Sequence, residues 1–221
     1  MFIDKAEKYQ IEKYKLLLKA AGYLTKLTTS AESGINRRAL DSNTLEIIFA
    51  KCFGFTDVSK KDEAIDCYRD DLGIGLKTFG CDGYYSFEKV AEFNASYDII
   101  DSLRSKPEIL IRHLTRERNQ RIQTTLDRYG LKNIIYHCIT RNKNGNWYVI
   151  EESMDRISEN NFEIQKINDK TIFFNDENGE YKFNFSKSVI MKKFNNTFPY
   201  EKIKIDIAKD PFEILEKIAK N

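Results

Sequence analysis

The chain has 221 residues, 41% of them hydrophobic and 32% charged, with a formal net charge of +2. That length supports one sizeable core or two small lobes; no apolar run approaches membrane-spanning length and the start, MFIDKAEKYQ, lacks the apolar core of a signal peptide, so a cytoplasmic protein is expected. Cys52, Cys67, Cys81 and Cys138 form no CxxC pair, and His113 and His137 are not spaced with them as zinc ligands. Reduced structural thiols are therefore expected. A near-neutral balance neither demands nor excludes a nucleic acid partner, so the clustering of basic residues has to decide.

From about Asp4 to Ala21 apolar residues recur at helical spacing (Ile11, Tyr14, Leu18, Ala21), and Gly22 reads as the stop. A polar segment follows, LTTSAESGINRRALDSNT, whose Arg37 and Arg38 would touch phosphates or base edges in a DNA-binding protein and would otherwise belong to a solvated connector. Between Asn43 and Phe53, Leu45, Ile48, Phe49 and Cys52 define one helix face. Glu46 stands at its margin with two competing readings: it completes a capping box with Asn43, or it looks over the edge of the next element.

That next element, Asp62 to Phe79 (DEAIDCYRDDLGIGLKTF), alternates polar and apolar residues around Asp70-Asp71 and reads as a hairpin. Simple pairing sets Asp66 opposite Gly75 and Ala64 opposite Lys77, so that Asp62, Asp66 and Lys77 project from one side. A carboxylate beside a lysine on paired strands suits a divalent cation, with an ammonium near a phosphate or an attacking water.

Ser86 is expected to cap a short helix carrying Glu88, Lys89 and Glu92. Tyr97 to Arg128 reads as two helices divided near Pro107, and within the second the stretch IRHLTRERNQRIQTTLDR sets Arg112, Arg116, Arg118, Arg121 and Arg128 against only Glu117 and Asp127. Such an excess is a footprint for a phosphate backbone, in competition with an ordinary solvated helix face. Asn133 to Thr140 reads as a buried strand paired with Trp147 to Ile150 across Asn144-Gly145, with His137 a satisfied core histidine. FEIQKIN, KTIFFND and EYKFNFS read as an antiparallel meander; Lys192, with Lys187 and Lys193, would grip a duplex or block a sheet edge. Asp210-Pro211 starts a terminal helix with Phe212, Leu215 and Ile218 on one face.

Asp66, a short turn and then Gly75-Leu76-Lys77 resemble the core of the PD-(D/E)xK nuclease superfamily, to which many type II restriction endonucleases belong. The chain departs from that pattern at Gly75, where the family would have an acid, and so lacks one expected metal ligand. In several such families an acid from the preceding helix joins the metal site, which makes Glu46 the first substitute, with Asp62, Glu88 and Glu92 in reserve. The resemblance implies an α+β fold: a restriction-endonuclease-like mixed sheet flanked by helices, here followed by an additional antiparallel meander in the last third. A single domain is expected, with the nuclease core in about 1–130 and a β-rich recognition or accessory region in about 131–221. It further implies an Mg²⁺-dependent endonuclease cutting double-stranded DNA at a specific site. Asp66 and Glu46 would hold the metal, Lys77 would serve the attacking water, and Arg37, Arg38, Arg112, Arg116, Arg118, Arg121 and Lys192 would meet DNA. Such enzymes often act as homodimers. The alternative is a non-catalytic DNA-binding or protein-interaction domain in which Asp66 and Lys77 form a structural ion pair.

Overall fold

In the computed structural model, which describes residues 1–27, 39–61 and 63–220, helix α1 (Lys8–Tyr23) opens on a capping box between Glu7 and Gln10 and buries Tyr14, Leu18 and Gly22. Gly22 lies inside the helix rather than ending it. A Cβ there would come within 2.5 Å of Ile205 and 3.1 Å of Trp147, so the residue is needed for close packing. Helix α2 (Ser42–Phe53) is capped by Asp41, whose carboxylate accepts from the Thr44 N–H at 2.8 Å and the Thr44 hydroxyl at 2.7 Å. Glu46 is thus not spent on a capping box. Gly54, at φ 69°, closes the helix in the left-handed conformation.

A six-stranded mixed sheet follows, built from β1 (Thr56–Asp57), β2 (Cys67–Arg69), β3 (Leu72–Gly80), β5 (Asn133–Arg141), β6 (Asn146–Ser153) and β11 (Glu201–Lys204), adjacent in that order. The β2–β3 hairpin turns at Asp70 and Asp71 as expected, and its register (Cys67 opposite Ile74) carries Asp66 to a place opposite Gly75. β3 pairs in parallel with β5 along its full length, Gly75 beside Tyr136 and Lys77 beside Cys138. Two helices lie between β3 and β5 in the chain, α3 (Tyr97–Ser102) and α4 (Pro107–Tyr129), divided at Pro107 as the sequence predicts.

Residues 85–92 form a strand, β4 (Tyr85–Glu92), and not the expected helix. Their apolar positions fit a helical period loosely, but alternation Tyr85-Ser86-Phe87-Glu88-Lys89 fits a strand, and β10 (Val189–Asn195) supplies a partner over seven residues. Ser86 hydrogen-bonds Glu88 at 2.5 Å and caps nothing. β4 is the first strand of a second, antiparallel sheet completed by β10, β9 (Gly179–Asn184), β8 (Thr171–Asp176) and β7 (Glu163–Asn168). β7, β8 and β9 make the expected meander, and β10 extends it by a strand. The two sheets do not divide the chain at residue 130: β5, β6 and β11 belong to the first, and β4 to the second.

Period-2 burial sorts the first sheet into two faces. Ile74, Leu76, Ile135 and Ile139 pack on α1 and α2, while Phe79, Tyr136, Cys138 and Met154 pack against Ile122 and Leu126 of α4 and Phe194 of β10. The N-terminal half of α4 (Leu110, Ile111, Leu114) meets Ile172, Phe174, Tyr181 and Phe183 of the second sheet. All four cysteines are buried and unbridged, and burial pushes the thiols of Cys67 and Cys138 up. His137 is sealed between Glu151, 2.8 Å from Nδ1, and the Tyr14 hydroxyl, 3.0 Å from Nε2. A terminal helix, α5 (Pro211–Ala219), leaves Phe212, Leu215 and Ile218 exposed. Among the described residues, no helix is long and apolar enough to cross a membrane.

Candidate functional site

Asp66 enters β2 with its N–H bonded to the Ile74 carbonyl at 2.9 Å, and its carboxylate accepts the Leu76 N–H at 2.6 Å. The side chain is therefore pinned to the strand that carries Lys77. Alternation along β3 places Gly75 and Lys77 on the face turned to α4. There Asp66, Gly75, Lys77, Arg118, Tyr136 and Met154 share the walls of one open pocket of about 250 Å³. Asp66 and Lys77 thus open onto one pocket.

No ion pair closes between the two. The Lys77 ammonium lies over the Tyr136 ring, 5.4 Å from its centroid. Burial raises the Asp66 carboxyl above its ordinary range, against the opposing pull of the Leu76 N–H and the Lys77 charge. A partly desolvated carboxylate held near an ammonium without neutralising it is an unsatisfied arrangement, and a cation would relieve it.

Gly75 has a packing reason. A Cβ at that position would lie 2.5 Å from Met154 Cε and 3.2 Å from Tyr136 Cδ1, so the space where the nuclease pattern has an acid is filled by a thioether and a ring. Of the substitutes, Glu92 lines the pocket from β4, tied to Lys89 and Asn94. Glu46 is not on the pocket wall, yet it is within electrostatic reach: burial raises its carboxyl, Asp66 and Asp57 raise it further, and a hydrogen bond from Ser59 opposes them. Glu88 faces inward opposite Lys192. Asp62, Arg37 and Arg38 lie outside the described residues. Among the described residues, no three His, Cys, Asp or Glu side chains converge as a ready metal cage.

The basic residues separate sharply. Arg118, 3% exposed, donates to the Asp155 carbonyl at 3.0 Å and to the Tyr136 hydroxyl at 3.3 Å, while its buried Nε has no partner. Arg121 and Lys89 also line the pocket, Arg121 donating to the Glu92 carbonyl at 3.3 Å. Arg116 pairs with Glu159 at 3.1 Å, and Arg112 is exposed on the same helix. Lys192 does not reach a surface that DNA could touch. It is 6% exposed and bonded to Glu152 and the Ser153 carbonyl, each at 3.2 Å, because its position in β10 alternates with Ile190 and Phe194 on the inward face.

Sequence reasoning missed Glu63, a pocket residue that binds Arg128 and accepts from Thr125 at 3.0 Å and Tyr129 at 3.1 Å. Burial would raise its carboxyl, but these three donors win and hold it below the usual range. It is a strut between the segment before β2 and the end of α4, and among the described residues it leaves Asp66 as the one pocket carboxylate without a cationic side chain bound to it. Tyr136 and Met154 were also missed, since their place follows from the parallel pairing of β3 with a strand some sixty residues later. Compared with protein-family models, curated proteins and solved structures, the chain matches none.

Proposed function

We propose that the chain is an Mg²⁺-dependent endodeoxyribonuclease of the type II restriction kind, hydrolysing phosphodiester bonds of double-stranded DNA at a specific site. The observation that carries this reading is the shared pocket of Asp66 and Lys77, open to solvent and ringed by Lys89, Arg118 and Arg121. Support also comes from the mixed sheet with α1 and α2 on one face and α4 on the other, the core that the sequence resemblance implies.

The donors fit a hard cation. Mg²⁺ is commonly held by one or two carboxylates, the rest of its shell being water and substrate phosphate. Asp66 would hold it, with Glu92 as the second carboxylate on the pocket wall; Glu46, off that wall, acts on the site through its charge alone. When bound, the ion supplies a Lewis acid that activates water and neutralises phosphate charge. Lys77, steadied on the Tyr136 ring, brings a second positive charge to the attacked phosphate and orients the incoming water. The guanidinium of Arg121, on the pocket wall, would anchor phosphate oxygens, while Arg118, bonded to the Asp155 carbonyl and the Tyr136 hydroxyl, holds the wall in place. Cutting both strands takes two copies of the chain, a homodimer by the same resemblance.

The non-catalytic alternative needs a structural ion pair between Asp66 and Lys77, and the Lys77 ammonium rests on Tyr136 instead. Plasmid DNA incubated with the protein in Mg²⁺ and in EDTA, and then with Lys77→Ala, tests the proposal. Discrete fragments that require both the metal and Lys77 are expected. Retardation without cutting by folded wild-type protein would sink it.

A further inference from the structure

The second sheet has one face packed on α3 and α4 and another turned away from the core. On strands β8, β9 and β10 the residues between the buried Ile172, Phe174, Tyr181, Phe183 and Ile190 point outward. Phe173, Lys182, Met191 and Lys193 hold those positions, and β4 adds Tyr85, Phe87 and Lys89 through its pairing with β10. Phe87 and Phe173 come from strands three places apart, about 14 Å at the usual spacing, yet their ring centroids are 6.3 Å apart. The face is therefore curled into a trough. Beside it lies a groove of about 720 Å³ lined by Phe87, Phe173, Gln165, Lys166, Asn175 and Glu180.

Aromatic faces and ammonium groups interleave here. Lys182 Nζ lies 4.7 Å from the Phe87 centroid and Lys193 Nζ 4.5 Å from that of Tyr85. Four lysines (89, 166, 182 and 193) stand against Glu163 and Glu180, with Lys193 holding Glu180 at 2.6 Å and Lys89 paired to Glu92 of the catalytic pocket. Tyr84 and Phe198, 78% and 90% exposed, extend the aromatic edge where the Asn196 N–H bonds the Tyr84 carbonyl. An apolar protein partner would not call for a lysine beside each ring, and a duplex hides its base faces. Unpaired nucleotides offer both a π-face and a phosphate at each step.

We propose that this trough is a binding platform for single-stranded DNA, with unpaired bases stacking on Tyr85, Phe87 and Phe173 and phosphates meeting Lys89, Lys166, Lys182 and Lys193. When a base takes a ring face, the ammonium now over that ring moves to the adjoining phosphate. The choice of DNA over RNA rests on the proposed nuclease function; the platform itself does not.

Fluorescence anisotropy with labelled oligo(dT), a duplex of equal length and oligo(rU) tests this in Mg²⁺-free buffer. Oligo(dT) is expected to bind at least tenfold more tightly than either competitor. Phe87→Ala, Phe173→Ala and the surface variant Lys182→Glu should each weaken it about tenfold, with circular dichroism unchanged. This assay reads binding without Mg²⁺ and the plasmid assay reads cutting with it, so a failed cleavage assay and a failed platform are told apart. Duplex binding equal to oligo(dT), indifference to the aromatic and lysine variants, or no binding at all would overturn the platform. Equal or tighter oligo(rU) binding would overturn the assignment to DNA.

Discussion

Asp66 carries a conflict between stability and chemistry that can be measured. Its carboxyl titrates above the ordinary range because burial opposes ionisation. The folded state then binds a proton more tightly than the unfolded chain, so this group favours folding at acid pH, and that contribution is lost as pH rises through the raised value. Asp66→Asn removes the buried charge and can still accept the Leu76 N–H. The variant is expected to melt at or above the wild-type temperature at pH 7, with the difference vanishing below about pH 4, and to lose Mg²⁺-dependent cleavage. A clear loss of thermal stability at neutral pH would refute the account of Asp66. Residues were unequally legible. Alternation and the Asp70-Asp71 turn gave the partnership of Asp66 and Lys77, and the same alternation in Val-Ile-Met-Lys-Lys-Phe would have placed Lys192 inward with Ile190 and Phe194. Met154 in the space beside Gly75 left no local signal, since only the parallel alignment of β3 and β5 and the return of the chain past Ser153 bring it there.

At the level of elements, β4 shows why local pattern failed. Phe87, Val90 and Ala91 satisfy a helical spacing about as well as the strand alternation, and the strand that decides the matter, β10, lies about a hundred residues downstream. The helices α2 and α4 were readable because caps and breakers are local: Gly54, Pro107 and Gly130 bound them. The attachment of α1 to the sheet was not readable. Tyr14 on α1, His137 on β5 and Glu151 on β6 form a dry chain, and the second Glu151 oxygen accepts the Ile3 N–H at 3.1 Å. Glu151→Ala strands two buried partners at once and should cost about 3 kcal/mol, roughly 6 to 12 °C in Tm. Since these groups face α1 and not the pocket, oligonucleotide binding at a permissive temperature should be unaltered. A melting temperature within a degree of wild type would show that the chain contributes little.

The whole molecule is joined through α4, which packs on the first sheet with Ile122 and on the second with Leu110 and Leu114. β4 adds a second tie, because the chain leaves β3 at Gly80 and enters the other sheet at Tyr85. Neither sheet can lose its neighbour without exposing one half of the same helix's apolar stripe. Urea unfolding should therefore be a single transition, with tryptophan fluorescence from Trp147 in the first sheet coinciding with far-ultraviolet circular dichroism from both. Two separated midpoints would mean that the sheets are independent units.

β4 also works as a ruler. Phe87 on the trough and Glu92 on the pocket wall are five residues apart on one strand, at most about 16 Å at the rise of an extended chain, with a β-bulge between Lys89 and Ala91 as the one break in the pairing. A strand of DNA gripped at the first point and cut at the second would be severed at a constant offset from the anchored base. The lengths of the released ends would then be set by the backbone of the protein and not by where along the polymer it happened to land.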